Sequence, residues 1–165
     1  SKRMIYYYFG SKEQLYVEVL EKLYGDIRNT ESRLHLTELP PVEAIRRMVE
    51  FTFDHHDRNV DFVRIVSIEN IHNAEYVKRS DAIRAMNNTV LDSLDVILRR
   101  GVEEGVFRAG LVPLDVHLLI SSFCFYRVSN RHTVGEIFQI DLPDERIKQR
   151  HREMICESVL RYLQA

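Results

Sequence analysis

Apolar residues recur along this chain every three or four positions, which is the spacing of one face of an α-helix. Segments in which apolar and polar residues alternate, as in a half-buried strand, are scarce. The pattern predicts an all-α fold with a loop over residues 133–143. The predicted helices begin after Ser11 and Pro41 and run over residues 60–72, about 77–103, 114–131 and 144–163.

Local signals mark where these helices begin and end. Ser11 can cap the first helix, and Gln14 three positions later completes a capping box. Pro40 and Pro41 interrupt the chain before the second helix, and Pro143 suits the first turn of the last one. Three glycines between residues 101 and 110 end the longest helix. The boundaries are therefore encoded locally.

The predicted helices at 114–131 and 144–163 carry apolar residues around much more than one narrow stripe. Such helices must be covered on two sides. Either both are central core helices, or a two-fold related copy covers them in a four-helix interface. We favour the second interpretation and expect a homodimer through these two helices.

Composition narrows the class of protein. The 165 residues are 45% hydrophobic and 29% charged, which is ordinary for a globular protein and enough for one core with a small appendage. No run approaches the roughly 18 apolar residues that span a bilayer, so no membrane contact is expected. Cys124 and Cys156 lie far apart in apolar contexts, and we expect free thiols in a reducing cytoplasm. The net charge of −2 leaves room only for a local basic patch.

Such a patch lies in the first twelve residues, which contain Lys2, Arg3 and Lys12 and no acidic residue. The tyrosines at 6–8 cannot all be buried on a helix, because successive residues point about 100° apart. Their hydroxyls suit phosphate oxygens, and their rings can touch sugars or thymine methyl groups. Ser11 and Lys12 precede free amides of a helical first turn, which favour an anion. The segment therefore predicts a DNA contact.

Residues 1–15 read Ser-Lys-Arg-Met-Ile-Tyr-Tyr-Tyr-Phe-Gly-Ser-Lys-Glu-Gln-Leu. They resemble the second half of the helix-turn-helix in the tetracycline-repressor family, in which an aromatic run closed by Phe precedes a Gly/Ser turn, Lys, an acidic residue and Leu. The resemblance implies a DNA-binding transcriptional regulator. Residues 1–15 would end its helix-turn-helix domain, and residues 16–165 would form a helical ligand-binding and dimerisation domain. The family's earlier helices are not in this sequence, and we expect them N-terminal to it.

The resemblance also implies which side chains contact double-stranded operator DNA. Lys2, Arg3 and Met4 would face base edges in the major groove. The tyrosines at 6–8 would lie at the groove wall, and Lys12 would pair with a phosphate. Ile5 and Phe9 would be core residues. The DNA-contacting set is Lys2, Arg3, Met4, Tyr6, Tyr7, Tyr8 and Lys12.

In this family the C-terminal helices enclose a cavity in which a small-molecule effector alters the spacing of two DNA-reading heads. Apolar walls with a few polar groups suit such a pocket. Arg127 is charged within a mostly apolar helix, and it would either pair with Glu69 or bind an anionic or carbonyl-bearing effector. Plain core packing and an ordinary salt bridge are the alternatives. The candidate lining residues are Phe62, Val66, Glu69, His72, Met86, Val90, Phe123, Arg127 and Asn130.

A second resemblance concerns the segment Ser129-Asn130-Arg131-His132-Thr133, followed by Ile137-Phe138 and Asp141-Leu142. It is similar to the subgroup typified by the pyrimidine-utilisation repressor. It implies a nucleobase-like or other planar heterocyclic effector.

We expect a repressor that an effector releases from DNA, with no enzymatic activity and no cofactor. One alternative is a helical protein-interaction module without DNA binding. Another is a helical metalloprotein, because Glu69-x-x-His72 is a di-iron pattern, although such sites need a second copy that the sequence lacks. Nucleophile elbows, phosphate loops and Cys/His metal spacings are also missing from the sequence, which argues against an enzyme.

Overall fold

The fold is a bundle of α-helices. The computed structural model describes residues 7–165, within which every regular element is helical. This confirms the all-α prediction. Residues 7–9 are helical, and the 3₁₀ turns Leu36–Glu38 and Val77–Arg79 precede the second and fourth of the longer helices. The longer helices are α1 (Lys12–Ser32), α2 (Pro41–Arg58), α3 (Val60–Ile71), α4 (Asp81–Glu103), α5 (Pro113–Ser129), α6 (Arg131–Phe138) and α7 (Glu145–Leu163).

The start of α1 follows the predicted cap. Gly10 has a φ of 73°, a left-handed conformation that glycine adopts without strain, and it turns the chain before the helix. The Gln14 backbone N–H donates to Ser11 Oγ at 3.0 Å. The Gln14 side chain donates to Glu18 at 3.5 Å. Half of the capping box therefore forms, and it is enough to begin the helix.

The predicted loop over 133–143 is wrong in its first half, where α6 lies. Asn130 leaves the helical conformation with φ −105° and ψ 9°, which ends α5. Its carbonyl then accepts bonds from the Val134 amide at 2.9 Å and from the Thr133 hydroxyl at 3.0 Å, which begins a new helix. Gln139 ends α6 in a left-handed conformation. A local hydrogen-bond pattern, rather than hydrophobic periodicity, makes this helix.

The second helix, α2, is the centre of the bundle and packs against α1, α3, α4, α5 and α7. Its buried apolar positions recur with the helical period, at Ala44, Ile45, Met48, Val49 and Phe53. Together with buried side chains of α4, α5 and α7 they form the main core. Burial of this continuous stripe holds α2 in place.

The other side of α2 is acidic and binds α7. Arg152 of α7 lies 3.1 Å from Glu50 Oε1 and 3.2 Å from Asp54 Oδ1. Lys148, one turn earlier in α7, lies 3.1 Å from Asp57 Oδ2. Because both helices present their charges one turn apart, these ion pairs fix the register of α7 along α2.

The connection after α4 is held by backbone contacts. Gly101 lets the ring of Phe107 fold back onto α4, where a Cβ would overlap it. Arg108 donates its backbone N–H to the Leu163 carbonyl at 2.9 Å, which joins this connection to the end of α7. Within residues 7–165, no helix is long and apolar enough to cross a bilayer.

Candidate ligand cavity

Helices α1 to α5 enclose a cavity of about 160 Å³, here called the central cavity. An engineered cavity of about 150 Å³ in another protein takes up benzene, so this one has room for a single six-membered ring. Its walls mix apolar and polar side chains. They are Tyr24, Ile27, Arg28, Glu31, Met48, Thr52, His56, Phe62, Val66, Asn87, His117, Ile120, Ser121 and Phe125.

A buried ion pair on α1 supplies the charge in this cavity. Arg28 Nη1 lies 2.5 Å from Glu31 Oε2, and the two side chains are 12% and 10% exposed. Burial lowers the pKa of Arg28 and raises the pKa of Glu31, and the contact between them opposes both shifts. Arg28 Nε is also buried and has no hydrogen-bond partner among residues 7–165. An unpaired buried donor costs free energy, so this atom favours an acceptor from a ligand.

Histidines beside the pair are held neutral. His56 Nδ1 lies 2.8 Å from the Thr52 carbonyl, which can only accept, so Nδ1 carries the proton and Nε2 has the lone pair. Burial lowers the pKa of His56 to about 4, aided by His55 and Arg28 against the bond to Thr52. Burial likewise lowers the pKa of His55 to about 4 and lowers that of His117. The wall therefore presents an imidazole acceptor at neutral pH.

Aromatic rings form the apolar side of the cavity. Phe62 contacts Tyr24 edge-on at 5.4 Å and His56 at 5.6 Å between ring centroids. Phe125 lies 6.2 Å from His56 in the same T-shaped arrangement. Edge-to-face contacts of this kind stabilise a fixed ring geometry. The cavity thus has flat walls suited to a planar ring.

An apolar groove of about 540 Å³ opens to solvent between α3 and α5, here called the α3–α5 groove. It shares Val66, Ser121 and Phe125 with the central cavity. Asn130, one of the predicted ligand residues, lines this groove. Because these side chains line both spaces, the groove and the central cavity adjoin each other.

The structure gathers only part of the predicted ligand set around the central cavity. Phe62 and Val66 line it. Met86 packs against α1 near Gly25, and Val90 is buried in the main core. Phe123 is half-buried beside that core.

Arg127 is buried and bound elsewhere. Its Nη1 lies 2.6 Å from Asp57 Oδ1, and its Nη2 donates to the Leu142 carbonyl at 2.6 Å. Its guanidinium also lies 4.9 Å from the centre of the Phe53 ring. The pairing with Glu69 that the sequence left open does not form: Arg127 binds Asp57, and Glu69 binds backbone N–H groups after α3. Arg127 ties α5 to α2 and to the loop before α7.

Glu69 holds the loop after α3. Its Oε2 accepts the backbone N–H groups of Tyr76 at 3.1 Å and Val77 at 3.0 Å. Burial and the neighbouring Glu69 raise the pKa of Tyr16 in α1 to about 12. His72 is exposed. Glu69 therefore links α3 to this loop. Within residues 7–165 no cluster of three or more metal-binding side chains is found.

Three of the predicted DNA-contacting residues are described by the structure, and they lie at or just before the N-terminal end of α1. Tyr7 and Tyr8 are 83% and 71% exposed, and Lys12 is exposed on the first turn of α1. Lys2, Arg3, Met4 and Tyr6 fall outside the described residues. Lys12 and Arg28 are on one continuous helix, about 24 Å apart at 1.5 Å per residue. Helix α1 therefore connects the DNA-contacting residue Lys12 with the central cavity.

None of the polar residues that line the central cavity was predicted from the sequence. Thr52 and His56 continue the apolar stripe of α2 at the spacing set by Met48, and a polar residue at a core position was the available signal. His117 and Ser121 repeat that spacing on α5, 3.4 Å apart. Their convergence depends on how the helices pack, which periodicity alone does not report.

Comparisons with known proteins agree with this architecture. The sequence profile described as tetracyclin repressor-like, C-terminal domain, matches residues 41–159. The HTH-type transcriptional repressor NicS of Pseudomonas putida is 36% identical over 161 residues, which are 98% of this chain and 76% of that repressor. The family prediction is confirmed, and the resemblance to the pyrimidine-utilisation subgroup stays a prediction.

A solved structure of a transcriptional regulator, SCO4942 from Streptomyces coelicolor, superposes with a TM-score of 0.69. The match covers 99% of this chain and 80% of that protein at 21% identity. At that identity the likeness is evidence for the fold.

The neutral histidine in the cavity predicts a pH dependence of stability. The pKa of His56 is about 4 when folded against 6.5 for the free side chain, so the unfolded chain binds a proton first as the pH falls. The free energy of unfolding should therefore decrease as the pH falls from about 6.5 to about 4. His56→Asn keeps an N–H for Thr52 and should remove about one proton from the uptake on unfolding near pH 5.

Urea unfolding at a series of pH values measures this slope. His132→Asn, at an exposed position, is the matched control and should leave the slope as in the wild type. Equal slopes for His56→Asn and the wild type would contradict the neutral buried state of His56.

Proposed function

The chain belongs to the tetracycline-repressor family of transcriptional regulators, and we propose that it is a repressor that a small molecule in the central cavity releases from operator DNA. The observation that carries this proposal is the course of α1. This helix has Lys12 at its exposed N-terminal end and the buried Arg28–Glu31 pair near its other end.

A ligand in the central cavity would act on α1 directly. Arg28, Glu31 and Tyr24 contribute its wall from this helix, while the other wall residues belong to α2 to α5. A helix moves as a rigid body, so a change in how α1 packs at the cavity would shift Lys12 as well. Release of DNA requires that the ligand bind better to the conformation that does not bind DNA, because equal affinity shifts nothing.

The exposed end of α1 suits a phosphate. Lys12 is an exposed positive charge on the first turn of α1, and Tyr7 and Tyr8, a few residues earlier, are exposed as well. A helix N-terminus and tyrosine hydroxyls both suit phosphate oxygens. These contacts carry no sequence information and would set affinity and register. Lys2, Arg3 and Met4 remain proposed base readers, with Tyr6 at the groove wall.

Apolar side chains exposed on α5 and α7 support a homodimer. Leu114, Leu118 and Tyr126 on α5 are 48%, 55% and 58% exposed, and Met154 and Tyr162 on α7 are 44% and 43% exposed. Exposed large apolar residues on two neighbouring helices are what an association surface requires. A two-fold dimer would present two DNA-reading ends to two operator half-sites.

The DNA contact predicts a nonspecific effect of Lys12→Ala in the full-length protein. Loss of one phosphate contact should weaken binding about equally for all DNA sequences and should reduce the salt slope of log affinity by about one unit. Lys22→Ala is the matched control, because Lys22 is an exposed lysine of the same helix that pairs with Asp26. Fluorescence anisotropy with labelled DNA at several salt concentrations measures both. An altered base preference with an unchanged salt slope would contradict the phosphate role.

The dimer predicts that Leu118→Lys dissociates the protein. A lysine at the proposed interface would be buried without a partner, which a dimer does not tolerate. Ile71→Lys is the control, because Ile71 is 75% exposed at the end of α3 and belongs to neither helix of the proposed interface. Sedimentation velocity at micromolar concentration should find dimers for the wild type and Ile71→Lys and monomers for Leu118→Lys. A monomeric wild type would contradict the dimer.

A further inference from the structure

We propose that the effector is an uncharged one-ring compound with a hydrogen-bond acceptor next to a donor, as in an amide, and that it bridges Arg28 and Glu31. This inference rests on the proposed function, because it assigns ligand chemistry to the same central cavity. Three features of the walls lead to it: the charge balance, the free hydrogen-bonding atoms and the size.

The charge balance of the cavity is neutral. Arg28 and Glu31 cancel each other, and His56 and His117 line the same cavity as uncharged imidazoles at neutral pH. An anion would contact Arg28 only by crowding the Glu31 carboxylate in a poorly solvated site, where like charges repel strongly. A cation that contacts Glu31 would be repelled in the same way by the positive charge of Arg28. An uncharged ligand avoids both costs.

The unused hydrogen-bonding atoms call for an acceptor and a donor side by side. Arg28 Nε is a buried donor without a partner. Glu31 binds Arg28 through Oε2, which leaves Oε1 to accept. Asn87 donates its Nδ2 to the Ile83 carbonyl at 2.8 Å, so its side-chain oxygen also remains an acceptor. A ligand whose acceptor meets Arg28 and whose donor meets Glu31 satisfies both members of the pair.

Size and shape limit the ligand to one flat ring. The volume of about 160 Å³ matches a single six-membered ring, and Tyr24, Phe62 and Phe125 provide aromatic walls. Two fused rings would need the aromatic contacts around Phe62 to open. The amide edge would then face α1 while the ring packs against α3 and α5.

Benzamide and benzoate test this chemistry, because they share a shape and differ in charge and in the donor. 2-Pyridone serves as a smaller cyclic amide. Isothermal titration of the wild-type full-length protein should give binding of 2-pyridone and benzamide at millimolar concentration or better. Benzoate should bind about ten- to hundredfold more weakly than benzamide, which is the scale of one hydrogen bond to a charged group.

Glu31→Gln gives a specificity switch. The substitution keeps the shape of the side chain and leaves Arg28 unopposed, so benzoate should gain about tenfold or more and should bind as tightly as benzamide or tighter. Glu38→Gln is the control at an exposed position and should keep the wild-type order of affinities. If Glu31→Gln does not fold, the order of the three probes on the wild type decides alone.

Benzoate binding to the wild type as tightly as benzamide would overturn the inference, and so would the failure of both 2-pyridone and benzamide to bind. An unchanged order of benzamide and benzoate in folded Glu31→Gln would overturn the bridging role of Glu31. The proposed function fails on a separate measurement, the absence of any operator binding by the full-length protein.

Discussion

The buried ion pair between Arg28 and Glu31 is the constraint on which the ligand cavity depends. Removing two charges from water is costly, and the cost is offset only where geometry and further polar contacts are favourable. In this protein the pair is closed within one turn of α1, so each charge has its partner whatever the other helices do. The neighbouring helices then supply flat aromatic walls and neutral imidazoles rather than further charges. The outcome is a small polar space inside an apolar bundle.

A second set of charges forms ion pairs between helices, and these hold together the helical frame around the cavity. Asp57 receives Arg127 and Lys148, and although burial raises its pKa, their hydrogen bonds hold the pKa below its usual range. Arg152 joins the same acidic side of α2 to α7 through Asp54. Because these pairs connect separate helices, they hold α2, α5 and α7 as one frame. The charged pair of the first helix is internal to that helix and takes no part in this frame.

The contrast between Arg28 and Arg127 explains what the sequence could and could not predict. The positions of all the longer helices except α6 follow from apolar periodicity and local caps. The family follows from the aromatic and basic motif at the start of the chain. Arg127 was predicted as a ligand residue because it is a charge in an apolar helix, but its partner lies 70 residues away in α2. Arg28 was not predicted, because a charge close to an acidic residue on an amphipathic helix is common. Which arginine faces the cavity depends on the packing of several helices, and no local pattern records it.

The central claim is that the central cavity and the DNA-binding end are coupled through α1. Coupling between two binding sites is reciprocal, so a cavity ligand that weakens operator binding must bind more weakly to the operator-bound protein by the same factor. The direct measurement has two halves. One is the affinity of 2-pyridone for the full-length protein, free and saturated with an operator obtained by selecting bound DNA sequences. The other is the affinity for that operator with and without 2-pyridone. The account predicts the same reduction, about fivefold or more, in both directions. Equal affinity of 2-pyridone for the free and the operator-bound protein would contradict it.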